Sequence, residues 1–146
     1  YLKKKKIKIE KSVKSLVKEE EDFGIKKFST YQKFSNQIYN IRKNVINNLM
    51  RLKKNNNQII GYGAPAKATT ALNFYGVTNQ IDFIIEDNKL KHGKFVPGVK
   101  IPIFSKAKLK KKVSKILVLA WNFYNDIKKN NSNLSEDFIN IKDLEK

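Results

Sequence analysis

Two glycines one residue apart, Gly61 and Gly63, followed three residues later by the small Ala66, stand where a short apolar run gives way to helical spacing. The segment Gly61-Tyr62-Gly63-Ala64-Pro65-Ala66-Lys67 fits few backbones. Its first glycine admits a tight turn, its second lets the backbone come close to an anion, and its small third residue lets a helix pack on a strand. Pro65 suits the start of a helix, where no N–H is needed. Free amides at that start attract negative charge. The pattern therefore asks for a strand before it and a helix after it, with Lys67, Thr69 and Thr70 on the first helical turns. A turn needed only for packing would use the same residues.

Periodicity around this junction predicts the rest. Gln58 to Gly61, Ile81 to Glu86, Lys115 to Ala120 and Phe138 to Ile141 read as strands, and Pro65 to Phe74, Ser105 to Lys112 and Asn122 to Asn130 as helices. Alternation of strand and helix predicts an α/β domain: a mostly parallel sheet of about four strands with helices on both faces. A loop rich in glycine and proline (Gly93, Pro97, Gly98, Pro102) follows the second strand. Upstream, Ile9, Val13, Leu16 and Val17 recur at helical spacing until Gly24, and Ser29-Thr30-Tyr31-Gln32 reads as a capping box. The stripe Phe28, Tyr31, Phe34, Ile38, Ile41, Val45, Leu49 and Leu52 then predicts one helix to Lys54, about 40 Å long. A turn is expected at Asn55 to Asn57. Residues 1–55 thus form a helical segment that links to and packs on the domain 56–146.

Composition narrows the function. At 146 residues one domain is expected, and with Tyr1 rather than methionine in first place the chain reads as a cut from a longer protein. The absence of cysteine and the single His92 exclude disulfides, thiolate zinc, multi-histidine metal sites and a cysteine nucleophile. The longest apolar run, Ile116 to Trp121, is far below the ~18 residues of a membrane span, and the opening residues lack the apolar core of a signal peptide, so a cytoplasmic protein is expected. The balance of 31 basic against 13 acidic residues, +18, suggests a nucleic-acid-binding module. All the basic residues but Arg42 and Arg51 are lysine, however, in runs such as Lys53-Lys54-Asn55-Asn56-Asn57. Phosphate and base recognition usually enlists arginine. The long helix also keeps its aromatics on its apolar stripe, so a solvated lysine surface is the preferred reading and no nucleic-acid or membrane partner is expected.

In an open α/β sheet the carboxyl ends of the strands line one crevice. Asp87, about 20 residues past the glycines, suits a ribose hydroxyl or an Asx turn with Asn88. Lys91 suits a phosphate, and the neighbouring His92 reads as a surface turn residue. Trp121 suits stacking on a base or sugar, or a place in the core, and Asn122 suits a helix cap or a ligand. A dinucleotide-dependent oxidoreductase would use the same glycine turn, but it needs a catalytic pair beside the nicotinamide, which one histidine does not supply.

Gly61 to Thr70, then Ile81-Asp82 leading to Asp87-Asn88 and Lys91-x-Gly93-x-x-x-Pro97-Gly98, then Ile101-Pro102-Ile103 and Leu119-Ala120-Trp121-Asn122, in this order and spacing, resemble the C-terminal domain of the sugar C-methyltransferase family. The resemblance covers about Val13 to the end. It departs from the usual pattern at Ala68, often glycine, and at His92, often glutamine, which argues against His92 as the family's base. The resemblance implies a Rossmann-like three-layer domain with an N-terminal long-helix extension. It further implies that the domain follows a zinc-binding module and a central S-adenosylmethionine-dependent methyltransferase domain, its partner in the same chain. The substrate implied is a nucleotide-linked deoxysugar: a proton next to the sugar ketone is removed and the enolate takes the methyl group. Gly61, Tyr62, Gly63, Ala64, Lys67, Thr69, Asp87, Asn88, Lys91, Trp121 and Asn122 are the substrate-binding candidates, with the pyrophosphate over Gly61 to Lys67. No catalytic or metal-ligating residue is assigned. The base and the methyl-donor site are expected in the central domain, so this chain alone is expected neither to bind S-adenosylmethionine nor to transfer methyl groups.

Overall fold

The computed structural model describes residues 9–54 and 57–146, so most of the turn expected at 55–57 lies outside the described residues. The chain divides into two compact units, one ending at Tyr39 and one running from Asn40 to Lys146. The first holds helix α1 (Lys11–Phe23) and the beginning of helix α2 (Phe28–Lys53). Its apolar residues at helical spacing, among them Val13, Leu16, Phe28, Tyr31 and Phe34, are exposed. The capping box is not used as the sequence suggests. Helix α2 begins at Phe28, which places Ser29 inside the first turn, and the Thr30 hydroxyl donates instead to the Gly24 carbonyl at 2.9 Å.

The second unit is built on five strands: β1 (Ile59–Tyr62), β2 (Phe83–Ile85), β3 (Ile103–Phe104), β4 (Lys115–Val118) and β5 (Phe138–Asn140). They form one sheet in the order β3-β2-β1-β4-β5, and every pairing is parallel. Helix α3 (Ala66–Tyr75) links β1 to β2, and helix α4 (Tyr124–Asn130) links β4 to β5. Because side chains alternate along a strand, Ile59 and Leu117 face one way and Ile60, Ile116 and Val118 the other. The first face packs on Val45 and Leu49 of α2 and on Ala68, Leu72 and Tyr75 of α3. The second packs on Leu109, Val113, Tyr124, Ile127 and Leu134. Helices on both faces of a buried parallel sheet match what the alternating pattern predicts, and make the three-layer, Rossmann-like α/β domain that the resemblance implies.

Two elements differ from the sequence reading. The fifth strand, β3, is an edge of two residues, too short for a period, and stands directly after Pro102 in the glycine- and proline-rich loop. The expected helix from Ser105 to Lys112 is a single 3₁₀ turn, Lys106–Lys108. A full helix would stack Lys106 on Lys110 and Lys108 on Lys112, like charges one turn apart that oppose it. No helix among the described residues is long and apolar enough to cross a membrane.

Candidate functional site

The chain leaves β1 through α3 to reach β2 on one side, and β4 pairs with β1 on the other. That reversal opens a crevice at the carboxyl ends of the central strands. A cleft of about 280 Å³ lies there, walled by Tyr62, Gly63 and Pro65 after β1, Glu86, Asp87 and Lys91 after β2, and Ala120, Phe123 and Ile127 after β4. A depression of about 460 Å³ in the N-terminal unit is lined by Phe23, Ile25, Tyr31 and Phe34 with Thr30, Lys33 and Gln37, and holds no acid.

The glycines act in different ways. Gly61 is buried within β1, where a Cβ would come 2.7 Å from Ile84 Cγ1, so this glycine serves strand packing. Gly63 has φ +83°, faces the cleft, and leaves room for Ala120, whose Cβ would be 2.9 Å from a Cβ at position 63. Its N–H donates to the Ile85 carbonyl at 2.9 Å, which fastens the loop to β2.

The next amide is already occupied. Ala64 N–H donates to Glu86 Oε2 at 2.7 Å, Asn88 N–H donates to Glu86 Oε1 at 3.0 Å, and the Lys91 ammonium lies 3.4 Å from Oε2. Lys91 also donates to the Ala64 carbonyl at 2.9 Å. Burial alone would raise the Glu86 pKa, but the Asn88 and Ala64 amides together with Lys91 outweigh it and hold the carboxyl below its ordinary value. Beside it, the Tyr62 hydroxyl donates to Asp87 Oδ2 at 2.8 Å, and Lys106 reaches Oδ1 at 2.8 Å and lies 5.2 Å from the Tyr62 ring centre. Burial again pushes the Asp87 pKa up, and the bonds from Lys106 and Tyr62 more than reverse that. Burial raises the Tyr62 pKa.

These shifts set a pH dependence. A folded-state pKa below the unfolded one favours the folded protein when the carboxylate is charged, and the gain is lost as the pH falls through the folded value. Stability is therefore expected to drop on acidification below the ordinary values of 4.5 for Glu86 and 3.8 for Asp87. Glu86→Gln should cost about 1.5–3 kcal/mol at pH 7, the size of a hydrogen bond to a charged group, and flatten the acid limb. Urea unfolding at pH 7 and pH 3.5 checks this; equal pH dependence in parent and variant contradicts it.

Of the residues singled out in the sequence, Tyr62, Gly63, Asp87 and Lys91 come together in the cleft. Gly61 lies beneath it in the strand, and Ala64 meets it through Glu86. Asn88, not Asp87, makes an Asx turn, its side chain accepting from the Leu90 amide at 3.0 Å, while the Asp87 carboxylate is taken by Tyr62 and Lys106. Thr69 accepts through its carbonyl from Asn73, which also donates to the Pro97 carbonyl and so ties the following loop to α3. Trp121 packs against the core on the α3 side of the sheet, with the Lys67 ammonium 4.2 Å from its ring centre. Asn122 is exposed in a 3₁₀ turn, Trp121–Phe123, and makes no cap on α4. The residues of the site that carry no assignment from the sequence are Glu86, Lys106, Ala120 and Asn131, whose side-chain oxygen accepts from the Tyr62 hydroxyl at 3.3 Å. Glu86 directly follows a strand end beside Asp87, a signal that was available. Lys106 is indistinguishable from its neighbours in a lysine run.

Comparison with known proteins bears on this arrangement. The family described as C-methyltransferase C-terminal domain matches residues 1–140. The C-methyltransferase NovU of Streptomyces niveus is 30% identical over 128 residues, 86% of this chain and 30% of that protein. The chain thus spans less than a third of the length of this relative.

Proposed function

The chain belongs to the C-methyltransferase C-terminal domain family, and on that premise we propose that it holds the acceptor, a nucleotide-linked deoxysugar, for a cytoplasmic S-adenosylmethionine-dependent C-methyltransferase. The observation that carries this reading is the cleft at the strand ends, where Tyr62, Glu86 and Asp87 set two carboxylates and a phenol around a space of about 280 Å³. Carboxylates accept from hydroxyl groups, and a sugar is a dense array of hydroxyls. Lys67 and the start of α3 lie next to the cleft's Pro65 wall and supply positive charge for the diphosphate. Ala64 and Asn88 support this site through the amides that hold Glu86, and Gly61 through the strand packing beneath it; Thr69, Trp121 and Asn122 are assigned to the same binding surface on the neighbouring turns.

S-adenosylmethionine, which supplies the methyl group, is assigned to another site: the Ala64 amide of the glycine loop is taken by Glu86 rather than left open to a ligand, and the chain matches the C-terminal domain of the family. The methyl donor belongs to another part of the parent protein, and the chain's contribution is to bind and orient the acceptor. Calorimetric titration with a nucleoside-diphosphate deoxysugar, NAD, S-adenosylmethionine and single-stranded DNA tests the reading. Saturable binding of the nucleotide sugar alone is expected. Binding of NAD alone would favour an oxidoreductase domain, and micromolar binding of S-adenosylmethionine would place the wrong ligand in the cleft.

A further inference from the structure

The glycine loop and the lysines near it are usually thought of as one anion site, but here they separate. The Glu86 carboxylate takes two backbone N–H groups and an ammonium, the partners a phosphate oxygen would use. It is an internal anion in the place of an external one. In the cleft wall Glu86 is paired with Lys91 and Asp87 with Lys106, so each ammonium already has its carboxylate. A diphosphate entering this space would meet carboxylates and no free cation, whereas a neutral, hydroxyl-bearing group would meet acceptors.

The opposite situation holds one step along both chain turns. Ala120 walls the cleft and Trp121, the next residue, turns to the α3 side; Pro65 walls the cleft and Lys67, two residues on, follows Trp121 to that side. The Lys67 ammonium rests 4.2 Å from the indole centre and has no carboxylate partner among the described residues. The Lys142 ammonium lies 5.8 Å from the same ring, paired with Glu145. A half-buried indole with an uncompensated cation at its face is suited to a group that is anionic at one end and planar at the other.

We propose that the acceptor is bound in two parts, its sugar end in the cleft against Tyr62, Glu86 and Asp87 and its nucleoside diphosphate on Lys67 beside Trp121, with Glu86 closing the glycine loop to phosphate. The proposal rests on the reading of the chain as an acceptor-binding domain and assigns the subsites within it. Glu86 is then a specificity residue. It keeps a dinucleotide's diphosphate off the loop amide and leaves the cleft to the sugar.

The single tryptophan makes the test direct. In the full 146-residue chain, titration with uridine diphosphate is expected to change Trp121 emission saturably. Lys67→Ala should weaken that binding about tenfold or more, the effect of one charge-assisted contact. Glu86→Ala should strengthen it about tenfold by freeing the Ala64 amide. Circular dichroism checks that this variant folds, and Lys67→Ala, a change at the protein surface, decides alone if it does not. Calorimetric binding that leaves Trp121 emission unchanged, or that Lys67→Ala does not weaken, overturns the subsites while the acceptor reading stands. Absence of binding by both uridine diphosphate and a nucleoside-diphosphate deoxysugar overturns both.

Discussion

Leu49→Ala will lower the unfolding free energy by about 2–5 kcal/mol, and Phe34→Ala, on the same helix and the same apolar stripe, by less than about 0.5 kcal/mol. The two positions differ in what surrounds them. Leu49 is fully buried and belongs to the cluster that includes Ile59, Leu72, Ile84 and Leu117, so truncation leaves a cavity that a parallel sheet cannot collapse to fill. Phe34 is 61% exposed and belongs to the N-terminal unit. Urea denaturation of the two variants measures the difference. Equal losses would mean that the stripe is one continuous core element, contrary to the division at Tyr39.

Gly63→Val will cost about 2–5 kcal/mol and abolish acceptor binding in whatever fraction remains folded. Two effects add. A β-branched residue at φ +83° carries left-handed strain of about 1–2 kcal/mol. Its Cβ, at 2.9 Å from the Ala120 Cβ, overpacks the floor of the cleft for about 1–3 kcal/mol more. Because both Gly63 and Ala120 wall the cleft, any relaxation that relieves the clash changes the cleft's shape. Thermal unfolding followed by calorimetric titration below the transition reads both parts. A variant as stable as the parent, binding as tightly, would remove Gly63 from the site.

The parallel sheet was legible because its central strands are continuous apolar runs and its first turn carries two glycines whose absence of side chains the packing needs at Ile84 and Ala120. The edge strand β3 left no trace, since two residues make no period. The lysine run after Ser105 reads as a helix in the sequence, yet Leu109 and Val113 pack on the α4 face from an irregular segment. The site was legible as a region, because Gly63, Asp87 and Lys91 fall at strand ends, and illegible in detail. Nothing in sequence spacing tells that the carboxylate on the glycine loop comes from Glu86 rather than Asp87, a choice made by the direction in which the chain leaves β2. Nor does it tell that Trp121 and Lys67 meet on the α3 side of the sheet.

Whether the strand-end crevice holds the acceptor is decided by an amide and indole NMR titration of this chain with a nucleoside-diphosphate deoxysugar. Saturable shifts are expected, concentrated at Gly63, Ala64, Lys67, Asp87, Lys91 and the Trp121 indole N–H, with the N-terminal unit unaffected. Shifts concentrated instead around Phe23, Tyr31 and Phe34, or binding that leaves Gly63, Ala64 and Trp121 unmoved, would contradict it.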